Sequence, residues 1–479
     1  MRLKQLLSWL LLQAAATSLY GQDICIPRFV GLTAFDVGEN SGTSAVADFD
    51  GNGNLDLSVG LNFLLGDGEG GFGAPSRLRS APIDEGFDVQ PDDYDGDGVL
   101  DVAMVGFTSE EILFYWGSRQ EGTAGFFEEH PLIVNVAPEA FGLWHIRRAD
   151  FDKNGLTDIV AISFVTPIHV VLLNEDDRES RTFSVHYLTS REGGGGGMQM
   201  ITTGDFDGDT NPDFISGFAI GELNEVAMFY GKGDGTFEAP VRGTLQFNAS
   251  PVNGHRFNAA DVDRDNKWDL FATGSRRIHV YFGKDFDRSQ ALPSQPAQAH
   301  FLGGSSARFV ETADMNLDGH LDFVVLSLFS DSARYSVFLG RPGEDGYSFE
   351  STGLQETGST GGRGAVLGLG DLNGDHAPDI VITSETQPDP MGRVFLNDNL
   401  CIPRFPQGDA NSSRFVDIAD PLTILFHLFG GEVLPCPGAA EVDGVPVLDL
   451  GDAVYLLRSL FLAGEAPVGN PLTGCEVAS

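Results

Sequence analysis

The chain has 479 residues and carries 29 Lys and Arg against 69 Asp and Glu, a net charge of −40. A surface this acidic argues against nucleic-acid binding, which needs basic groups opposite the phosphates, and against electrostatic attachment to anionic lipid. After the N-terminal stretch no segment approaches 18 consecutive apolar residues, so no spanning helix is expected.

Met1-Arg2-Leu3-Lys4 is followed by an apolar run from Leu6 to Ala16 and then by small and polar residues up to Asp23. A positive start, a short apolar core and small residues predict a secretory signal over residues 1–22 and a secreted, extracellular or cell-surface protein. A retained membrane anchor is the alternative, although the run is short for a span. In an exported chain the even set Cys25, Cys401, Cys436 and Cys475 predicts two disulfides. Phe29 to Val37 reads as a strand without a repeat of its own.

From there the pattern Asp-x-[Asp/Asn]-x-[Asp/Asn]-x-x-x-Asp occurs seven times, with separations of 45, 57, 55, 56, 53 and 57 residues. Oxygen side chains stand at positions 1, 3, 5 and 9. A backbone carbonyl at position 7 completes a set suited to a hard cation, so calcium is expected, about seven ions in all. The first loop offers Asp48, Asp50, Asn52, Asn54 and Asp56; the second, Asp93, Asp95, Asp97, Val99 and Asp101. The third offers Asp150, Asp152, Asn154, Leu156 and Asp158; the fourth, Asp205, Asp207, Asp209, Asn211 and Asp213. The fifth has Asp261, Asp263, Asp265, Lys267 and Asp269; the sixth, Asp314, Asn316, Asp318, His320 and Asp322; the seventh, Asp371, Asn373, Asp375, Ala377 and Asp379. Glycine allows the sharp turn at position 6 except where Thr210, Asn266 or His376 stands. The competing reading, polar hairpins without metal, would leave three or four carboxylates repelling one another within a few ångströms. Position 2 is apolar or aromatic (Phe49, Tyr94, Phe151, Phe206, Val262, Met315, Leu372), and alternation points it into a core.

An apolar run such as Asp158-Ile159-Val160-Ala161-Ile162 follows each loop, and a second run such as His169-Val170-Val171-Leu172 comes soon after. Gly-rich turns such as Gly231-Lys232-Gly233-Asp234-Gly235 come next, and a Phe, as in Phe72-Gly73-Ala74-Pro75 or Phe237-Glu238-Ala239-Pro240, is expected to open another strand. With the strand leading into the loop, each repeat has four strands and no helix. The fold class is all-β, a seven-bladed β-propeller over residues 23–405.

The loops together with the Phe-Gly-Ala-Pro element resemble FG-GAP (VCBS-type) repeats, as in the propeller head of integrin α subunits, over about residues 25–400. The resemblance implies Ca²⁺ in hairpins on one face and partner recognition on other surfaces. Because the seventh blade leaves the ring after a third strand near Val394, the unpaired strand Phe29 to Val37 is expected to complete it. A Cys25–Cys401 disulfide would then stand where other blades have a hairpin. Cys-Ile-Pro-Arg-Phe occurs at both Cys25–Phe29 and Cys401–Phe405, and either copy suits the closing strand.

Residues 406–479 change to helical spacing. Asp409, Asn411, Ser413, Asp417 and Asp420 precede one apolar run, and Glu441, Asp443, Asp449 and Asp452 precede another. Two loop-then-helix units resemble a dockerin of the planctomycete type. The resemblance implies one or two further calcium ions and docking onto a cohesin-like or cell-surface partner. Arg414 and Pro446 at position 6 and Val445 at position 5 depart from that pattern. A small helical cap stapled by Cys436–Cys475 is the alternative.

No catalytic motif stands out. Gly66-x-Gly68-x-x-Gly71 has the spacing of a dinucleotide fingerprint but no helix after it. His145, His255 and His300 are scattered, and Gly193–Gly197 reads as a loop. Two function classes follow: a calcium-stabilised binding or adhesion module for glycan or protein, or a polysaccharide-degrading lyase or hydrolase whose site is gathered from several blades.

Overall fold

A computed structural model describes Pro27–Asp398, Ala410, 419–430, 448 and 450–461. Its internal breaks fall at 33, 39–42, 79–82, 84–85, 107–108, 119–126, 129, 176–180, 191–199, 221–222, 247–256, 275, 287, 289–291, 303–305, 329–332, 344–345, 357–365 and 385–390. The described residues belong to two units, the first spanning Arg28–Asn399.

That unit is a ring of seven antiparallel sheets, six with their strands in sequence order and the last completed by the N-terminal strand. In the third blade, Leu143–Ala149 runs into the acidic loop and Asp158–Ser163 returns from it. Ile168–Asn174 follows, and Phe183–Thr189 forms the outer edge. The first strands of successive blades lie against one another around the axis, and Val366–Gly370 meets Ser44–Ala47 to close the circle. The second strands are fully buried, as in Asp158–Ser163 and Asp269–Gly274, because both faces are covered by neighbouring blades. The core therefore lies between blades. One cluster joins Phe206, Met228 and Tyr230 to Leu270, Tyr281 and Phe286, and another joins Tyr94, Phe114 and Trp116 to Ile146, Ile159 and Val170.

Closure follows the expected route. Phe29–Gly31 pairs with Met391–Asn397, Phe29 opposite Asn397, so the first copy of the repeated pentapeptide supplies the closing strand. The expected strand Phe29–Val37 is two short pieces, and Phe35–Asp36 pairs further along at Gly392 and Met391. Cys25, Cys401, Cys436 and Cys475 lie outside the described residues, as do His255 and Gly193–Gly197.

One expectation is corrected. Phe72 and Phe237 do not open the fourth strands, which begin at Ser76 and Val241. Each Phe makes a single bridge back across the turn, Phe72 to Gly66 and Phe237 to Gly231, and packs a partly buried ring against a core cluster. Phe237 stacks edge-on against Phe151 and Phe214 at 5.2 and 5.0 Å, so packing rather than ladder bonding explains an aromatic there.

The second unit contains two 12-residue helices, α1 (Ala419–Gly430) and α2 (Leu450–Phe461). They pack through Ile424, Ala453 and Leu456, with Ala410 in the same cluster.

Candidate metal centres

All seven acidic loops connect a first strand to a second strand, so the ring carries them at one end. Their backbones are alike. Asp48 accepts the N–H of Asn52 at 3.0 Å and that of Gly53 at 2.8 Å. Asp93, Asp150, Asp205, Asp261, Asp314 and Asp371 repeat the two bonds. The side chain at position 5 accepts the N–H of position 7 in every copy: Asn54, Val99, Leu156, Asn211, Lys267, His320 and Ala377. Such turns need left-handed backbone at positions 4 and 6. Gly51 and Gly53 adopt it, and so do the less tolerant Lys153, Thr210 (φ 71°), Asn266 (φ 66°) and His376 (φ 72°). Sequence reading identified the turn at position 6 but not the one at position 4. The position 2 side chains are buried as expected, from Phe206 at 0 % to Leu372 at 3 % exposed.

This winding brings acid groups together. Carboxylate oxygens of Asp48, Asp50 and Asp56 lie within 4.8 Å of one another, as do those of Asp93, Asp95 and Asp101, of Asp150, Asp152 and Asp158, and of Asp205, Asp207 and Asp213. In the fifth loop the group is Asp261, Asp263 and Asp265, and Asp263 Oδ1 is buried with no hydrogen-bond partner. In the sixth and seventh loops Asn316 and Asn373 put an amide oxygen at position 3. Converging hard oxygen donors, one of them orphaned, fit a calcium-type cation.

Position 9 does a structural job that sequence reading missed. Asp158 accepts the Phe151 N–H at 2.7 Å with one oxygen and the Asn174 N–H at 2.7 Å with the other. Asp56, Asp101, Asp213, Asp269, Asp322 and Asp379 likewise tie position 2 to the end of their own third strand. Burial pushes these carboxyls up, to about 6 at Asp56 and Asp379, about 7 at Asp101, Asp158, Asp269 and Asp322, and about 8 at Asp213. The backbone donors oppose the rise without cancelling it.

The loops also join blades. In four loops the position 2 carbonyl is gripped by the next blade. Asn174 Nδ2 donates to Tyr94 O at 2.6 Å, the Gly235 N–H to Phe151 O at 3.0 Å, and Asn397 Nδ2 to Met315 O at 2.8 Å. The turn with Gly66, Gly68 and Gly71 belongs to this set, its Gly70 N–H donating to Leu372 O at 3.0 Å across the ring closure.

In the second unit, Asp420 and Asp452 are fully buried in the first turns of α1 and α2. Asp409, Asn411, Ser413, Asp417, Glu441, Asp443 and Asp449 lie outside the described residues.

A cavity of about 190 Å³ lies at the axis, towards the end away from the loops, and Asp88, Gln90, Arg147, Phe257 and Glu311 are among its lining residues. Asp88 binds three blades together, accepting from Thr43 Oγ1 at 3.1 Å and Arg147 at 3.0 Å and pairing with His145 Nδ1 at 2.9 Å. The sequence carried no signal for this, since the strand Gly86–Asp92 also holds Gln90 and Asp92. His300 packs against Phe323 and Phe338 instead.

Fold and site together define a seven-bladed propeller whose blades are stitched by repeated acidic loops. The FG-GAP-like repeat family matches residues 93–161, 205–272, 261–325 and 314–382, just over half the chain, and the chain belongs to that family. No curated protein matches it. Among solved structures, BBS1N in complex with ARL6DN has a TM-score of 0.50 at 10 % identity, covering 78 % of this chain and 99 % of that one. A lectin from Agrocybe aegerita that recognises non-reducing terminal N-acetylglucosamine has a TM-score of 0.46 at 15 % identity, covering 75 % and 95 %. The WD40 domain of Toxoplasma gondii coronin has 0.48 at 11 %, covering 78 % and 88 %. At these identities the first likeness supports the propeller fold alone.

Proposed function

We propose that this is an exported binding or adhesion module, a propeller held rigid by structural calcium that presents its other surfaces to a glycan or protein. The observation that carries the reading is the shared geometry of the loops, with three carboxylates converging in five of them at one end of the ring. The metal role is structural, because the carboxylates are tied to their own backbone and to blade junctions rather than aimed into the axial cavity. The opposite end has its own recognition chemistry. Trp144 stacks on Phe164 at 4.8 Å, and Phe141 and Val165 nearby are exposed. Residues 406–479 act as a dockerin-like anchoring or assembly unit in this reading. The test is a glycan and protein array probed with the full chain in 1 mM Ca²⁺ and in chelator, with a turnover screen on acidic and neutral polysaccharides alongside. Calcium-dependent binding without cleavage is the expected result, and polysaccharide cleavage would replace it with the degrading-enzyme reading.

A further inference from the structure

Three loops, the second, fourth and fifth, carry four carboxylates, and the other four replace one acid with an amide. Each four-carboxylate loop is met by a basic side chain. Arg181 reaches Asp95 Oδ2 at 2.8 Å, Lys284 stands 3.9 Å from Asp263 Oδ2, and Arg288 pairs with both Asp207 and Asp209. Among the described residues no arginine or lysine pairs with a carboxylate of the four amide-bearing loops. There an amide donates across instead, as Asn154 Nδ2 does to Asp152 Oδ2 at 3.3 Å. One charge too many is thus offset either by an amide or by a neighbouring cation.

The three basic groups differ in depth. Arg181 spends its second nitrogen on Glu128 at 2.9 Å and lies over the Trp116 ring at 4.4 Å, outside its loop. Lys284 rests on Phe282 at 4.6 Å. Arg288, which enters from the next blade, places Nε on Asp207 Oδ2 and a terminal nitrogen on Asp209 Oδ2. Those are the position 3 and 5 oxygens that accept no loop backbone N–H, since each Oδ1 already takes one. The remaining nitrogen faces Glu238 Oε1 at 3.5 Å, and the guanidinium sits 5.1 Å from the Tyr230 ring centre. A planar fork fits two carboxylates in a way a point charge does not.

We propose that the fourth loop carries its own cation: the Arg288 guanidinium takes the place of the divalent ion and clamps the fourth blade to the fifth, leaving six metal loops in the propeller. This rests on the metal reading above. The test counts bound Ca²⁺ per full chain by elemental analysis and calorimetric titration. Arg288→Gln is expected to bind one ion more than the native protein. In the native background Asp205→Asn leaves the count unchanged while Asp150→Asn in the third loop lowers it by one, which keeps the proposal testable if the Arg288 variant does not fold. Equal counts for native and Arg288→Gln, or loss of an ion in Asp205→Asn, would overturn it. A native protein with no bound calcium sinks the metal reading itself, and the native titration alone shows that.

Discussion

Asp158 and its six counterparts at position 9 decide most at the residue scale. Their side chains hold two backbone N–H groups each while burial disfavours their charge. Replacing Asp158 with Ala strands both donors in a buried site and should cost about 2–5 kcal/mol, read as a lower denaturant midpoint with calcium present. The raised carboxyls also set a pH dependence. An unfolded carboxyl loses its proton near 4, and these lose theirs between about 6 and 8. Between those values the metal-free folded state binds more protons than the unfolded state, so its stability falls as pH rises from 4 towards 8. In chelator the melting temperature should be lower at pH 8 than at pH 5. Saturating Ca²⁺ should flatten that slope by compensating the charged form. A melting temperature that rises with pH in chelator contradicts this account.

At the scale of the element, position 9 fixes its own hairpin in every loop, and in the second, third, sixth and seventh loops the position 2 carbonyl is held by the next blade. Asn174 donates to Tyr94 O and, at 3.2 Å, to Thr157 O, so it touches two blades at once. Asn174→Ala should cost about 1–3 kcal/mol and loosen the second blade against the third, seen as faster hydrogen exchange in Asp101–Gly106 and Asp158–Ser163. Gly231 follows a strand end where a Cβ would overlap the Pro212 carbonyl oxygen, so Gly231→Ala should shift the hairpin off Asp213 and destabilise despite removing a flexible residue. The apolar runs and the loop spacing made these elements legible in the sequence. The role of the FG-GAP phenylalanine was not, because an aromatic between a turn and a strand satisfies either assignment until its ring contacts are seen.

For the whole molecule, the core lies between blades, so stability depends on the ring staying closed. Phe29–Gly31, with the short piece Phe35–Asp36 beyond it, covers the outer edge of the last blade. Deleting residues 1–37 removes that strand and Val37, which packs with Leu57, Leu372 and Val381 between the seventh and first blades. Such a chain should melt lower and self-associate through the bared Met391–Asn397 edge, a change visible by light scattering. The proposed calcium would act at the same scale. If the loops bind calcium as proposed, with dissociation constants near 10⁻⁴ M, typical outside cells, each ion would contribute about 1.4 kcal/mol at 1 mM. Several together should make chelation lower the melting temperature by on the order of 10 °C.

The sequence by itself determined the number of blades, the strand order within them and the positions of the acidic loops. Each depends on local chemistry repeated at a fixed interval: alternation, glycine or its substitutes at a sharp turn, and oxygen side chains in register. Only the tertiary structure decided which copy of Cys-Ile-Pro-Arg-Phe closes the ring and that Asp88 joins three blades at the axis. Only there, too, does Arg288 meet the fourth loop, 79 positions from Asp209. Those outcomes depend on residues far apart in the chain, brought together by the circular packing of sheets, and no local pattern encodes such pairings.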